Sequence, residues 1–177
     1  EPVLFNIKGA CYADLGQLDV AVTNYKEAIT IKPDYAKAHF NLAGSLHDLG
    51  QLETAVQSYQ KAIEIDASYA EAYNNLGNVF QELKQVDSAV KSYKMALEIK
   101  PDYIAAQYSL GNTFMELGQL EEAVKSYKAT LKLKPDFAGA YNKLGSTLLE
   151  LDQLDESVRS YEAALKHKPD YVEAINN

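Results

Sequence analysis

The tripeptide Pro33-Asp34-Tyr35 decides the fold, because similar tripeptides follow it at a constant spacing of 34 residues. The later copies are Ala67-Ser68-Tyr69, Pro101-Asp102-Tyr103, Pro135-Asp136-Phe137 and Pro169-Asp170-Tyr171. A fixed period of this length is the signature of an array of helical repeats. The sequence therefore predicts an all-α solenoid, in which each repeat packs on its neighbours rather than around one central core.

Placing each proline at position 32 of a repeat divides the chain into five complete units and the start of a sixth. The units are residues 2–35, 36–69, 70–103, 104–137 and 138–171, and residues 172–177 open the sixth. We expect residues 1–177 to form a single array. Terminal repeats normally have a polar outer face, whereas this chain has Leu4 and Ile7 at one end and Ile175 at the other. We therefore expect a fragment of a longer protein, whose copies associate end to end through these apolar residues.

Several repeat positions keep the same type of side chain through all five units. Position 8 is small (Gly9, Ala43, Gly77, Gly111, Gly145), position 24 is tyrosine (Tyr25, Tyr59, Tyr93, Tyr127, Tyr161), and positions 20 and 27 are small. We expect the tyrosines to be buried between the helices. This pattern resembles the tetratricopeptide repeat (TPR) family over essentially the whole chain. The resemblance implies a right-handed superhelix of antiparallel helix pairs, in which the first helix of each pair lines a concave groove.

The connections between helices also carry recognisable signals. Position 15 is Gly16, Gly50 or Gly118 in three repeats, as expected for a left-handed residue that ends the first helix, with Lys84 and Asp152 in the other two. The proline at position 32 should stop the second helix, and the aspartate after it is predicted to cap the next first helix.

Composition limits the kind of partner and chemistry. The chain has 17 basic and 25 acidic side chains, a net charge of −8, which disfavours nucleic acid and anionic membranes as partners. Its three histidines lie at different repeat positions, and we expect no metal, cofactor or catalytic site. No membrane-spanning stretch or signal peptide is visible. We expect the single cysteine, Cys11, to be buried, and the protein to be cytoplasmic.

The predicted ligand-binding surface is the stripe formed by positions 2, 5, 9, 12 and 13 of the first helices, which in TPR proteins lines the groove; we call it the groove face. At position 5, Phe40 and Tyr108 fall outside the recurring aromatic positions. They are either peptide anchors or core residues displaced by one position, because position 4 in these repeats is His39 or Gln107. Both alternatives stay open at this point.

Position 13 of every repeat is acidic, which is unfavourable at the end of a helix and is not explained by local stability. The acids are predicted to select a basic ligand; the alternative is a solvated ladder inherited by duplication of the repeat. The groove candidates are Phe40, Asn41, His47, Asp48, Asn74, Asn75, Asn78, Glu82, Tyr108, Asn112, Met115, Glu116, Asn142, Ser146 and Glu150.

The sequence thus favours a non-catalytic protein-interaction scaffold whose groove takes an extended, neutral-to-basic peptide. Amides at positions 5, 6 and 9 would bind the main chain of such a peptide. Asparagines at position 6, Asn41 and Asn75, resemble the asparagine ladder of the TPR arm of O-GlcNAc transferases. That similarity implies an alternative, the substrate-recruiting arm of a larger glycosyltransferase or sulfotransferase. A third hypothesis is a self-associating structural array.

Overall fold

The computed structural model describes residues 1–172 and residue 174. Over these residues the secondary structure is entirely helical, with no β-strand, as the sequence predicts. The ten helices are α1 (Pro2–Asp14), α2 (Leu18–Ile31), α3 (Ala36–Asp48), α4 (Leu52–Ile65), α5 (Ala70–Glu82), α6 (Val86–Ile99), α7 (Ile104–Glu116), α8 (Leu120–Leu133), α9 (Ala138–Glu150) and α10 (Leu154–His167). Each repeat drawn from the sequence holds one pair of them.

The helices form two compact units, Glu1–Ile99 and Lys100–Asn177. In the first unit, α1, α3 and α5 each pack on the helix that follows, and α2 and α4 pack on the first helix of the next repeat. The second unit repeats this order with α7 to α10. Within each unit the first helices of successive repeats also contact one another, α1 with α3, α3 with α5, and α7 with α9. The first helices therefore form a continuous face in each unit.

The core of each repeat is a tyrosine ring packed against a small residue. The five position-24 tyrosines are at most 9% exposed, which confirms their predicted burial. A Cβ atom placed on Gly77 would lie 2.6 Å from the ring of Tyr93, and one on Gly111 would lie 2.8 Å from the ring of Tyr127. Real Cβ atoms do not approach other carbon atoms so closely. Glycine at position 8 is thus what lets the two helices of the repeat close on the ring.

The turns between the paired helices have the predicted left-handed residue at position 15. The φ angle is +72° at Gly16, +74° at Gly50 and +67° at Gly118. Lys84 and Asp152 adopt the same conformation with φ angles of 59° and 57°. This conformation is unfavourable for residues that carry a Cβ, so the third and fifth repeats keep their turns at some cost in stability.

The predicted aspartate caps are wrong. The first helices after the prolines begin after Tyr35, Tyr103 and Phe137, and no side chain caps them. The backbone closes the loop instead, as where Tyr35 N–H donates to Lys32 C=O at 3.2 Å. The position-31 lysines add a cation over the aromatic ring, with Lys32 Nζ 5.6 Å from the centre of the Tyr35 ring.

The predicted burial of Cys11 is also wrong, because its side chain is exposed. In the second repeat the position-10 residue, Ser45, is buried and hydrogen-bonds to Tyr25 of the preceding helix α2. No such helix precedes α1 in the described chain. Of the partial sixth unit, residues 172 and 174 are described, and Ile175 lies outside the described residues. Ala174 packs against Tyr161 and Ala164.

Candidate peptide-binding face

The position-13 acids lie on the groove face with their side chains in solvent. Asp14, Asp48 and Glu82 are exposed in the first unit, and Glu116 and Glu150 are exposed in the second. Neither Asp14 nor Asp48 takes part in an ion pair within the described part of the chain. Each unit therefore presents a row of carboxylates, and in the first unit two of them carry charge that no basic side chain offsets.

Electrostatic effects on the buried tyrosines show how close these acids are to the core. Burial raises the pKa of Tyr25, and the nearby Asp14 carboxylate raises it further. Burial raises the pKa of Tyr59 to about 12, and Asp48 adds to that effect against a hydrogen bond with Asn75, which lowers it. A negative charge near a phenol disfavours the phenolate. The acids of the first two repeats therefore help to keep the buried tyrosines in their neutral form.

Glu82 differs from the other acids of the first unit because a histidine holds it. His47 Nε2 lies 2.6 Å from Glu82 Oε1, and this contact joins α3 to α5. His47 is half-buried, with 23% of its side chain exposed, whereas Glu82 is 53% exposed. Two of the predicted candidates thus form one pair, and the Glu82 carboxylate, unlike those of Asp14 and Asp48 within the described residues, already has a side-chain partner.

The position-9 residues are the hydrogen-bond partners of the buried tyrosine hydroxyls. Tyr93 donates to Asn78 Oδ1 at 2.8 Å, Tyr127 donates to Asn112 Oδ1 at 2.8 Å, and Tyr161 Oη lies 3.1 Å from Ser146 Oγ. The separation is 15 residues in all three pairs. From the sequence, Asn78, Asn112 and Ser146 were predicted only to contact a bound peptide. The constant spacing of 15 residues between position 9 and the recurring tyrosine at position 24 was the sequence signal for this second role.

In the first unit, asparagine side chains at positions 5 and 6 hydrogen-bond to one another. Asn41 donates to Asn6 Oδ1 at 3.0 Å across two repeats, and Asn74 donates to Asn75 Oδ1 at 3.1 Å. Asn74 and Asn142 are each only 5% exposed, so the position-5 amides lie beneath the surface. The half-buried position-6 residues, Asn41 and Asn75, are the more accessible of the two sets.

Phe40 and Tyr108 are half-buried and pack in the same way in the two units. The Phe40 ring lies 4.7 Å from the Tyr69 ring and 5.7 Å from the Tyr59 ring, centre to centre. The Tyr108 ring lies 4.8 Å from Phe137 and 5.9 Å from Tyr127. The position-4 aromatic Tyr141 instead stacks on His167 at 5.7 Å. Phe40 and Tyr108 therefore occupy a packing site of their own, at the edge of the groove face.

Side chains near these two rings differ. Lys37 Nζ lies 5.1 Å from the centre of the Phe40 ring, whereas the equivalent residue before Tyr108 is Ala105. Burial and the neighbouring Tyr171 raise the pKa of Tyr108, while a hydrogen bond with Asn112 lowers it. Met115 Sδ lies 3.4 Å from Thr147 Oγ1, a contact that joins α7 to α9.

The described residues contain neither a metal-binding cluster nor a membrane-spanning helix. No three of the His, Cys, Asp and Glu side chains there are grouped so that they could hold a metal ion. None of the helices there is both long enough and apolar enough to cross a lipid bilayer.

Models of one repeat family match most of the chain. A model described as TPR repeat matches residues 9–48, 44–84 and 111–152. Models described as tetratricopeptide repeat match residues 70–103 and 138–171, which are also the bounds of the third and fifth repeats drawn from the sequence. No curated protein sequence matches the chain.

Solved structures with a similar fold include those of MamA, YrrB and PilF. A crystal structure of MamA is 26% identical, with a TM-score of 0.87, over 91% of this chain and 94% of that chain. YrrB, described as a TPR protein with an unusual peptide-binding site, is 19% identical with a TM-score of 0.85, over 99% of this chain and 91% of its own. PilF of Pseudomonas aeruginosa is 19% identical with a TM-score of 0.86, over 98% of this chain and 79% of its own.

Proposed function

The chain belongs to the tetratricopeptide repeat family, and from that premise we propose that it is a non-catalytic protein-interaction scaffold. Its groove face binds an extended, neutral-to-basic peptide or protein segment. The observation that carries the proposal is the row of exposed position-13 acids beside half-buried amides and aromatic rings. The peptide-binding site named for YrrB supports a peptide as the ligand.

The acid row is a favourable surface for a basic peptide at little cost to the fold. Carboxylates one repeat apart are separated by about 10 Å, where two charges repel by only about 0.4 kcal/mol in water. A lysine or arginine of the ligand that comes within about 5 Å of one carboxylate gains about 0.8 kcal/mol. Several such contacts add up along an extended segment, and they also accelerate its association.

The half-buried rings supply the apolar part of the binding energy. Phe40 and Tyr108 pack on the core by one side and border the groove face by the other, so they combine the two roles considered from the sequence. Aromatic residues in such positions dominate many peptide interfaces. Because Lys37 already covers Phe40, Tyr108 is the stronger anchor of the two.

A titration with two synthetic peptides tests the proposal. The probes are an acetylated and amidated dodecapeptide of alternating lysine and serine, and its counterpart of alternating glutamate and serine. Calorimetry at low salt should show binding of the lysine peptide only. The double variant Asp14→Asn with Asp48→Asn should weaken it about fivefold, the effect of losing about 1 kcal/mol of attraction.

The matched control removes two acids from second helices, Asp19→Asn with Glu53→Asn, and so makes the same change in net charge. This control should bind the lysine peptide nearly as tightly as the wild type. Equal loss in both double variants would show that the peptide senses only the net charge of the chain, and the assignment to the groove face would then be wrong.

An apolar surface on α1 favours a second candidate function, association with another copy of the chain. Val3, Leu4 and Ile7 are 52%, 49% and 53% exposed, and they lie in one short stretch of the helix. Contiguous exposed apolar residues of this kind mark contact surfaces.

Sedimentation equilibrium at rising protein concentration should show an increase in the apparent mass. The double variant Leu4→Ser with Ile7→Ser should abolish this increase, and the control Leu117→Ser should retain it. A constant mass up to millimolar concentration would exclude this candidate.

A further inference from the structure

A depression on the side of the first unit formed by second helices is a separate feature of the structure. It has a volume of about 460 Å³ and lies between α2 and α4, above α3. Its apolar floor is formed by Ile29 and the buried Leu42, and His39 forms part of its wall. Two lysines, Lys26 and Lys61, lie at its edges and are exposed. We call this feature the outer depression.

The second unit has a counterpart at the same repeat positions, between α8 and α10 above α9. It is smaller, at about 270 Å³, and its lining includes Lys128, Tyr141, Leu144, Glu156 and Arg159. Lys128 and Leu144 stand at the repeat positions of Lys26 and Leu42. The two depressions are therefore versions of one feature of the repeat, and their differences can be assigned to particular residues.

Two of the residue differences bear on the volume of the depression and on the charge of the lysine at its edge; Gln57 and Lys61 are also replaced, by Arg159 and Ala163. At position 4 the second unit has Tyr141, whose ring stacks on His167 at 5.7 Å, whereas the first unit has the smaller His39, which hydrogen-bonds to Pro33 C=O at 2.9 Å. At position 19 the second unit has Glu156, whose carboxylate lies 3.3 Å from Lys128 Nζ, whereas the first unit has Thr54. The second unit thus fills its depression with a ring and neutralises its lysine with its own carboxylate.

We propose that the outer depression of the first unit binds an acidic peptide segment, with an apolar side chain on Ile29 and Leu42 and a neighbouring carboxylate on Lys26. The Lys128–Glu156 pair is an example within the same chain of the contact that the ligand carboxylate makes. Lys26 forms no ion pair within the described residues, whereas Lys61, the other lysine at the edge, pairs with Glu64 at 2.9 Å. Lys26 is therefore the residue that the ligand carboxylate contacts.

The site is distinct from the groove face in both place and charge. The groove face is formed by first helices and is acidic, whereas the outer depression lies between second helices and has Lys26, which forms no ion pair within the described residues, at its edge. An ion pair between exposed groups contributes little by itself, so the apolar contact supplies most of the affinity. We expect weak binding, in the millimolar to high micromolar range, which a longer partner can strengthen through further contacts.

The chain supplies its own test variants, because each difference can be introduced from the second unit. His39→Tyr should fill the outer depression, and Thr54→Glu should place a carboxylate near Lys26. The probe is an acetylated and amidated hexapeptide of alternating leucine and glutamate, titrated into the ¹⁵N-labelled protein. Each variant should bind it about fivefold more weakly than the wild type. The control Gln85→Glu adds the same charge outside the depression and should leave the affinity unchanged.

Two further readouts decide the result. In the wild type, amide shifts should change around Lys26, Leu42 and Gln57, and a leucine–glutamine hexapeptide should bind more weakly. Both variants should keep the thermal unfolding midpoint of the wild type within a few degrees, so that loss of binding is not loss of fold. Undiminished binding in both variants, equal binding of the glutamine peptide, or shift changes confined to first helices would each overturn the proposal.

Discussion

The second and third repeats share one architecture and one unit, but they hold their central tyrosine differently. In the third repeat Gly77 makes room for the Tyr93 ring, and Asn78 accepts the hydrogen bond of the tyrosine hydroxyl. In the second repeat the glycine stands one residue later, at Gly44, and the fully buried Ala43 lies at position 8. Because position 9 is then glycine, it offers no side chain as a hydrogen-bond partner for Tyr59. The Tyr59 hydroxyl instead forms a hydrogen bond with Asn75 of the next repeat.

The difference shows which requirements of the repeat are fixed and which can be met in more than one way. Each tyrosine needs a small neighbour and a polar partner, because a buried hydroxyl without a partner costs about 1 to 3 kcal/mol. The third repeat satisfies its tyrosine internally. The second repeat depends on the third, through the Tyr59–Asn75 bond and the His47–Glu82 pair. We therefore expect polar coupling between these two repeats to be stronger than packing alone would give.

The largest expected effect concerns the ionisation of Tyr59. Its pKa is raised to about 12, so the folded state holds the neutral phenol while the unfolded chain ionises near 10. The stabilisation is complete below pH 10 and is lost as the pH rises from about 10 to about 12, with a loss on the order of 2 kcal/mol from this group. Urea unfolding at pH 8, 10 and 11.5 should show a smaller decline for Tyr59→Phe. An equal decline in the free energy of unfolding in Tyr59→Phe and in the wild type would contradict the raised pKa of Tyr59.

A slightly smaller effect is expected where the glycine is required. Gly77→Ala places a Cβ 2.6 Å from the Tyr93 ring. Overpacking of a core costs about 1 to 3 kcal/mol, and the better helix propensity of alanine returns about 1 kcal/mol. We expect a net destabilisation of up to about 2 kcal/mol in chemical denaturation. A neutral result would show that the Tyr93 ring shifts to make room for a Cβ, and glycine would then not be required at position 8.

The hydroxyl partner of the third repeat should contribute less. Asn78→Ala leaves the Tyr93 hydroxyl without its side-chain acceptor, at a cost of about 1 kcal/mol. A double-mutant cycle with Tyr93→Phe isolates this contact, because asparagine loses its role once the hydroxyl is absent. An equal cost of Asn78→Ala in both backgrounds would mean that the bond does not contribute to stability.

The smallest expected effect has the opposite sign. A Cβ on Gly44 would meet only the Tyr59 hydroxyl, at an ordinary contact distance of 3.7 Å. Gly44→Ala should therefore stabilise the chain by about 0.5 to 1 kcal/mol through helix propensity. The same substitution thus separates the two repeats by its sign, stabilising at residue 44 and destabilising at residue 77. Destabilisation at both positions would contradict the comparison.

The sequence predicted what depends on periodicity and failed where the contact geometry of a loop or a helix face decides. The helix pairs, the buried position-24 tyrosines and the left-handed residues at Gly16 and Lys84 follow from local rules. The aspartate caps were wrong because the loops close through backbone bonds such as Tyr35 N–H to Lys32 C=O. Burial of Cys11 was wrong because a neighbouring helix, not residue type, buries position 10.

The candidate site was predictable as a set of positions but not as a set of contacts. Helical spacing placed the acids, amides and rings on the first helices, where the structure has them, although Asn74 and Asn142 are buried. It did not reveal that Asn78 and Asn112 bind tyrosine hydroxyls, nor that His47 holds Glu82, since these contacts depend on how far one helix is rotated against the next. The role of these residues in binding a peptide stays a prediction.

The most direct test of the account is a map of where a basic peptide binds. The lysine–serine dodecapeptide would be titrated into the ¹⁵N-labelled chain at low salt, with amide shifts followed residue by residue. We predict that the largest changes fall on first helices, around Asn41, Asp48 and Asn75 in the first unit and around Tyr108 and Asn112 in the second. Changes concentrated on second helices, or spread evenly over all exposed acids, would contradict the claim that the groove face is the binding surface.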